Sequence, residues 1–152
     1  MPDQKTIERA RRDKREGKAA STQAGEFVRE EIEHVREGKH GARSTKQAIA
    51  IGLSKARRAG VDLPPPKKGT VSAKTRKSAK RAYAVGHGAA KKTTGSAKRS
   101  RATTQALKRE GHSAASRKAL STQARSAARK RSAASRSATA RKAARTRARN
   151  AR

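Results

Sequence analysis

The chain has 152 residues, with 42 Lys and Arg against 11 Asp and Glu, for a formal charge of +31. Leu, Ile, Val and Phe together number 14, well under the roughly 20% below which a highly charged chain tends not to fold alone, so a core running the whole length is excluded. There is no cysteine, hence no disulfide framework or thiolate metal site, and neither a secretory signal nor a long apolar run is present; a soluble cytoplasmic protein with no membrane partner is expected.

Charge and apolar residues divide at the same place. Residues 1–62 carry 15 basic and 10 acidic side chains, a net +5, whereas residues 63–152 carry 27 basic side chains and Glu110 alone, a net +26. Ile7, Phe27, Val28, Ile32, Val35, Ile49, Ile51, Leu53, Val61 and Leu63 precede the prolines, and only Val71, Tyr83, Val85, Leu107 and Leu120 follow them. Any core is therefore expected before the prolines, and an anionic partner after them.

Residues 1–20 mix both charge signs around Ile7, so a basic and acidic arm or frayed helix is expected, with little to bury. From Ser21, Ala24, Phe27, Val28, Ile32 and Val35 recur at three- and four-residue steps, the period of an amphipathic helix that Gly38 can stop. Ser44 and Gln47 have capping-box spacing. Ile49, Leu53 and Ala56 then define a face, Arg57 and Arg58 sit in the last turn where the helix dipole favours cations, and Gly60 offers a left-handed cap. Gly38-Lys39-His40-Gly41 is short enough to fold one helix back on the other.

Residues 21–63 thus read as an αα-hairpin with Phe27, Val28, Ile32, Val35, Ile49 and Leu53 as its core. So small a core is marginal alone, and a homodimer through the Phe27/Ile32 and Ile49/Leu53 faces, or docking on a partner, is its natural remedy. Pro64-Pro65-Pro66 bars a helix from crossing residues 64–69, which are expected to be a stiff linker.

Residues 70–152 consist mostly of Ala, Ser, Thr, Lys and Arg, divided by Gly86, Gly88, Gly95 and Gly111. The fold class expected is all-α: a short N-terminal αα-hairpin followed by an Ala/Lys/Arg-rich tail that is helical or intrinsically disordered. Within the tail, the cations expected to meet phosphate are Lys74, Arg76, Lys77, Lys80 and Arg81 in the first segment. Lys91, Lys92, Lys98, Arg99 and Arg101 follow in the second. The third holds Arg117, Lys118, Arg125, Arg129, Lys130, Arg131, Arg136, Arg141, Lys142, Arg145, Arg147 and Arg149. Like charges at this density oppose a free helix, and phosphates reverse the penalty.

The segment ARSTKQAIAIGLSKARRAGVDLPPPKKG, with STQAGEFVREEIEHVREGKHG before it and GHSAASRKALSTQARSAARKRS after it, resembles a family of small, basic, uncharacterised bacterial proteins. The tail separately resembles those of bacterial histone H1-like proteins, a similarity that implies nucleic-acid binding.

Other chemistry finds little support. Ala48, Gly52, Leu53 and Ser54 have helix-turn-helix spacing, but Arg57, Arg58 and Gly60 break the pattern, so one continuous helix through Gly52 is expected. Tyr83 is a lone aromatic among basic runs, too few for a base-stacking platform. His34, His40, His87 and His112 have no metal-ligand spacing and are expected on the surface, with no metal and no cofactor. Glu26, Glu30, Glu31, Glu33 and Glu37 crowd one helix beside Arg29 and Arg36, which implies ion pairs rather than an enzyme. The expected function is sequence-independent binding and compaction of DNA in the nucleoid. The alternatives are an RNA- or ribosome-associated protein, suggested by Ser100-Arg101, Ser116-Arg117 and Ser135-Arg136, and a protein-interaction adaptor with a basic localising tail.

Overall fold

The computed structural model describes residues 2–91 and 96–151. Among these the chain forms seven α-helices and no strand: α1 (Gln4–Arg15), α2 (Ala20–Arg36), α3 (Thr45–Arg58), α4 (Ala73–Gly86), α5 (Ala97–Lys108), α6 (Arg117–Arg129) and α7 (Ala133–Asn150), with a 3-10 turn at Ser113–Ala115. None of these helices is long and apolar enough to cross a membrane.

The local stop and start signals act as their chemistry dictates. Ser44 accepts the Gln47 amide at 3.2 Å, and the Gln47 side chain reaches back to the Arg43 amide at 2.8 Å, one residue before the cap. α2 and α3 end at Gly38 (φ 73°) and Gly60 (φ 85°). There the amides of Lys39 and Val61 bond to the His34 and Ala56 carbonyls, the six-to-one closure of a left-handed cap.

α2 packs against both α1 and α3. α1 is therefore not a frayed arm. It buries Thr6, Ala10 and Asp13, and polar groups supply what apolar side chains do not: Arg9 pairs with Glu26 at 2.6 Å and Lys18 with Asp13 at 2.8 Å. Ala10 joins Ala24, Phe27, Ala56 and Val61 in one core cluster, flanked by Ile7, Leu53 and Leu63. A second cluster holds Ile32, Val35, Ala42 and Ala48 together with Ala114 and Ala115, and Val28 and Leu120 lean on it.

Of the six core positions expected, Phe27, Ile32 and Val35 are buried, whereas Val28, Ile49 and Leu53 are half-buried. The buried stripe of α3 is Thr45, Ala48, Gly52 and Ala56. Small residues let α2 and α3 cross closely, which turns the larger Ile49 and Leu53 toward the flanks of the contact. Of the faces expected to meet a second copy, Phe27 and Ile32 are covered within one chain, while Ile49 and Leu53 keep part of their surface open.

The packed unit also extends past residue 63. Arg57, 8% exposed, donates to the carbonyls of Leu63 at 3.0 Å and Pro64 at 3.3 Å, and burial lowers its pKa. Arg76 donates to Pro66 at 3.3 Å. The prolines are thus held by side chains on both sides, not left as a free spacer. α4 lies on α3 through Ala79 and Ala82, and Gly86 packs so tightly that a β-carbon there would stand 1.9 Å from the Arg57 carbonyl oxygen.

Farther along, the Gly41 and Ala42 amides donate to the Leu107 and Gly111 carbonyls at 2.9 and 3.1 Å. Thr45 Oγ1 donates to Ala114 O at 2.6 Å, and Arg36 Nε to Ala115 O at 2.9 Å. The tail is therefore helical rather than disordered over its described residues, and Ala114-Ala115 belongs to the core. Alanine's helix propensity and serine caps explain the helices, and the missing bulk of Ala114 and Ala115 lets the chain approach the second cluster.

Candidate nucleic-acid interface

Each tail helix begins on a serine. Ser72, Ser96, Ser116 and Ser132 accept the amide three residues on at 3.2, 3.3, 3.2 and 3.2 Å. None of these helices carries an acid in its first turn. The positive end of a helix dipole ordinarily attracts carboxylates, each worth about 0.3–1 kcal/mol. Here Lys74, Lys98, Arg99, Arg117 and Lys118 stand at that end instead, an arrangement that an external anion relieves.

On α4, Ala79, Ala82 and Gly86 face α3, and at 100° per residue Lys74, Lys77 and Arg81 project from the opposite side. Lys74, Lys77, Lys80, Arg81 and Lys91 are exposed and Arg76 is half-buried against the prolines. Lys92 lies outside the described residues. Lys98, Arg99 and Arg101 are exposed on α5, which buries no residue. Arg117, Lys118, Arg125 and Arg129 on α6, with Lys130 and Arg131 beyond it, are exposed, and Arg125, Arg129 and Lys130 line one shallow groove with Thr122 and Ser126.

Every cation of α7 (Arg136, Arg141, Lys142, Arg145, Arg147 and Arg149) is exposed. Some of the expected ligands nevertheless bind the chain itself. Arg131 donates to Ser135 O at 3.0 Å and to Thr139 Oγ1, Arg136 to Ala128 O at 3.4 Å, and Arg149 to Glu16 O at 3.0 Å.

The N-termini of α3 and α6 meet in an open groove of about 680 Å³ lined by Arg43, Ser44, Thr45, Lys46, Ser116, Lys118, Thr122 and Ser126 among others. The Thr45–Ala114 hydrogen bond brings the two together. Arg43 and Lys46 fall outside the expected ligands because their half of the chain holds 10 of the 11 acids and a net charge of only +5. The available signal was Ser44 opening a helix with no first-turn acid. Ser116 is the cap of α6, so the Ser116-Arg117 dipeptide has a structural origin.

The aromatic and histidine expectations change. Tyr83 is engaged at both ends: its hydroxyl donates to Asp62 Oδ1 at 2.6 Å and its ring stacks on His87 with centroids 4.0 Å apart. The Asp62 carboxylate raises the Tyr83 pKa by accepting that bond. His87 and His112 are exposed, but His34 and His40 are not surface residues, with side chains only 14% and 16% exposed. They lie beside Glu31, whose contact with Lys55 is 2.7 Å. Burial opposes the Lys55 charge, and Glu31 and Glu30 overcome it and raise its pKa. On the outer side of α2, Arg29 pairs with Glu33 at 3.3 Å and Glu26 at 3.6 Å, while Arg36 is drawn to Ala115 instead.

No curated protein and no solved structure matches the chain. Residues 2–68, which contain α1, α2, α3 and the proline segment, match the model of DUF6496, a family of unknown function, and in that stretch the chain is similar to its members.

Proposed function

We propose that the protein binds duplex DNA without sequence preference and compacts it, in the manner of a histone H1-like nucleoid protein. The observation that carries this reading is the distribution of charge. From residue 63 onward the chain has 27 basic side chains and one acid, Glu110, and most of those cations stand on the outward faces of helices. The first 62 residues, by contrast, hold 10 of the 11 acids and spend them on internal pairs such as Arg9–Glu26 and Lys55–Glu30.

Lysine and arginine would neutralise phosphates and release counterions, a mode of binding indifferent to base sequence. With one DNA charge per ~1.7 Å of axis, the +26 of the tail matches about 13 base pairs. Compaction follows if separate helices engage separate duplexes, because α5, α6 and α7 bury no residue of their own. Arg43 and Lys46 extend the surface across the α3–α6 groove.

Fluorescence anisotropy with duplexes of several sequences, single strands and double-stranded RNA, over a range of salt, tests the proposal. Equal affinities for the duplex DNAs and a steep loss with salt are expected. A preference of more than about tenfold for one sequence or for RNA, against the ~1–3 kcal/mol that a single base mismatch costs a specific reader, would refute it.

A further inference from the structure

Glu31 and His34 stand one turn apart on α2, and His40 lies in the connection to α3. One ligand atom from each falls within 4.8 Å of the other two. Glu31 is 1% exposed, and the two histidines are half-buried.

The hydrogen bonding of His40 determines what it can do. Its Nδ1 is 2.9 Å from the Gly41 carbonyl oxygen. A carbonyl only accepts, so the proton of a neutral ring resides on Nδ1. In that neutral ring the lone pair of Nε2 points at Glu31 Oε1, 3.0 Å away, so two acceptors would face each other. A cation coordinated by both removes the conflict. Ligands at ~2.0–2.2 Å from a zinc ion stand about 3–3.5 Å apart, close to the separation found.

The groups around the trio are those that surround metal ligands. The Gly41 carbonyl fixes the His40 tautomer, as backbone carbonyls do for ligating histidines. The other Glu31 oxygen, Oε2, is buried and has Lys55 Nζ at 2.7 Å to hold its charge. Asp3, Glu30 and His34 form a second grouping that shares His34, with Asp3 Oδ2 3.6 Å from His34 Nε2. Charge agrees as well. Asp3, Glu30 and Glu31 against Lys55 leave two negative charges, which a divalent ion balances inside a chain that is otherwise strongly cationic.

We propose that Glu31, His34 and His40 bind one divalent cation of the zinc class. Two imidazoles with one carboxylate favour zinc and its transition-metal neighbours over magnesium or calcium. The ion would clamp the end of α2 to the following turn, next to the Gly41 and Ala42 amides that hold Leu107 and Gly111.

Titration of the full-length protein with zinc chloride against a chromophoric chelator, with no nucleic acid present, is expected to show one equivalent bound. His34→Ala and His40→Ala should each weaken binding by more than about 100-fold, beyond the 10–100-fold that loss of an outer-shell partner costs, while His87→Ala and His112→Ala leave it unchanged. Because the chain has no cysteine, His34→Cys loaded with cobalt(II) should give a sulfur-to-metal charge-transfer band from this position alone, which keeps the test open if an alanine variant unfolds. Unaltered zinc affinity in the His34 and His40 variants, or no thiolate band in helical His34→Cys, overturns the proposal. So does a helical wild-type protein that binds no zinc.

Discussion

Gly52 of α3 lies so close to Val28 of α2 that a β-carbon at position 52 would stand 2.7 Å from Val28 Cα and 2.9 Å from Phe27 O. Both obstacles are backbone atoms and cannot swing aside. Gly52→Ala should therefore push the helices apart at a cost of about 1–3 kcal/mol, less the ~1 kcal/mol that alanine gains in helix propensity. A urea midpoint above that of wild type would show that the crossing tolerates a methyl group.

Phe27 is 1% exposed in the cluster that joins α1, α2 and α3. Phe27→Ala should cost about 3–5 kcal/mol, a large part of the stability of so small a core, and circular dichroism should show helix lost at a lower temperature. Ile49→Ala, at a half-buried position outside both clusters, should cost distinctly less. Equal losses would mean that the Ile49/Leu53 face is the true core.

Tyr83 is the only tyrosine and there is no tryptophan, so its ionisation can be followed by absorbance. Its folded pKa is raised above 10.0 because Asp62 accepts the phenolic proton in a hydrogen bond. A raised folded pKa means that the contribution of this bond to stability is complete below pH 10.0 and is lost as pH rises through the folded value. The phenolate midpoint of wild type should lie above that of Asp62→Asn. Coincident midpoints would place α4 away from the residue 60–63 turn.

Salt dependence distinguishes cations that face outward from those that hold the chain. Replacing Arg125, Arg129 and Lys130 by glutamine should make the plot of log K against log salt shallower by at most about 0.9 per contact. Arg43→Gln with Lys46→Gln should act in the same direction. Arg76→Gln and Arg149→Gln, which remove groups engaged by Pro66 O and Glu16 O, should change the slope less. Equal effects at all these positions would mean that DNA takes over the internal arginines.

The helix ends were legible in the sequence because their signals are local: Ser44 with Gln47, Gly38 and Gly60 each act within a few residues. The contact faces were less so. Ala48, Gly52 and Ala56 carry no apolar contrast with their neighbours, so Ile49 and Leu53 dominate the pattern although close helix approach selects the small residues. Ala114-Ala115 is one alanine pair among many, and only its position against Thr45 and Arg36 distinguishes it. For the basic surface, composition named the tail cations, but which of them bind their own carbonyls depends on distances that span up to 133 residues, as in Arg149 to Glu16. The grouping of Glu31, His34 and His40 was not legible, because the histidines read as surface residues and the glutamates as helix ion pairs. Its third member sits beyond a helix end, where periodicity stops.

The hydrogen bonds from Arg36 to Ala115 and from Thr45 to Ala114 span 79 and 69 residues. During synthesis, α1, α2 and α3 can pack around Phe27 while the second cluster still lacks a wall, because its last alanines are made long after Ile32 and Val35. Closing such a loop costs entropy only logarithmically in its length, about 0.6 kcal/mol per doubling, but contacts this distant in sequence form slowly. The nascent chain thus carries a notched core whose missing piece arrives with the most basic part of the protein. Truncation between α4 and α5 would leave that notch open however well the first three helices had folded.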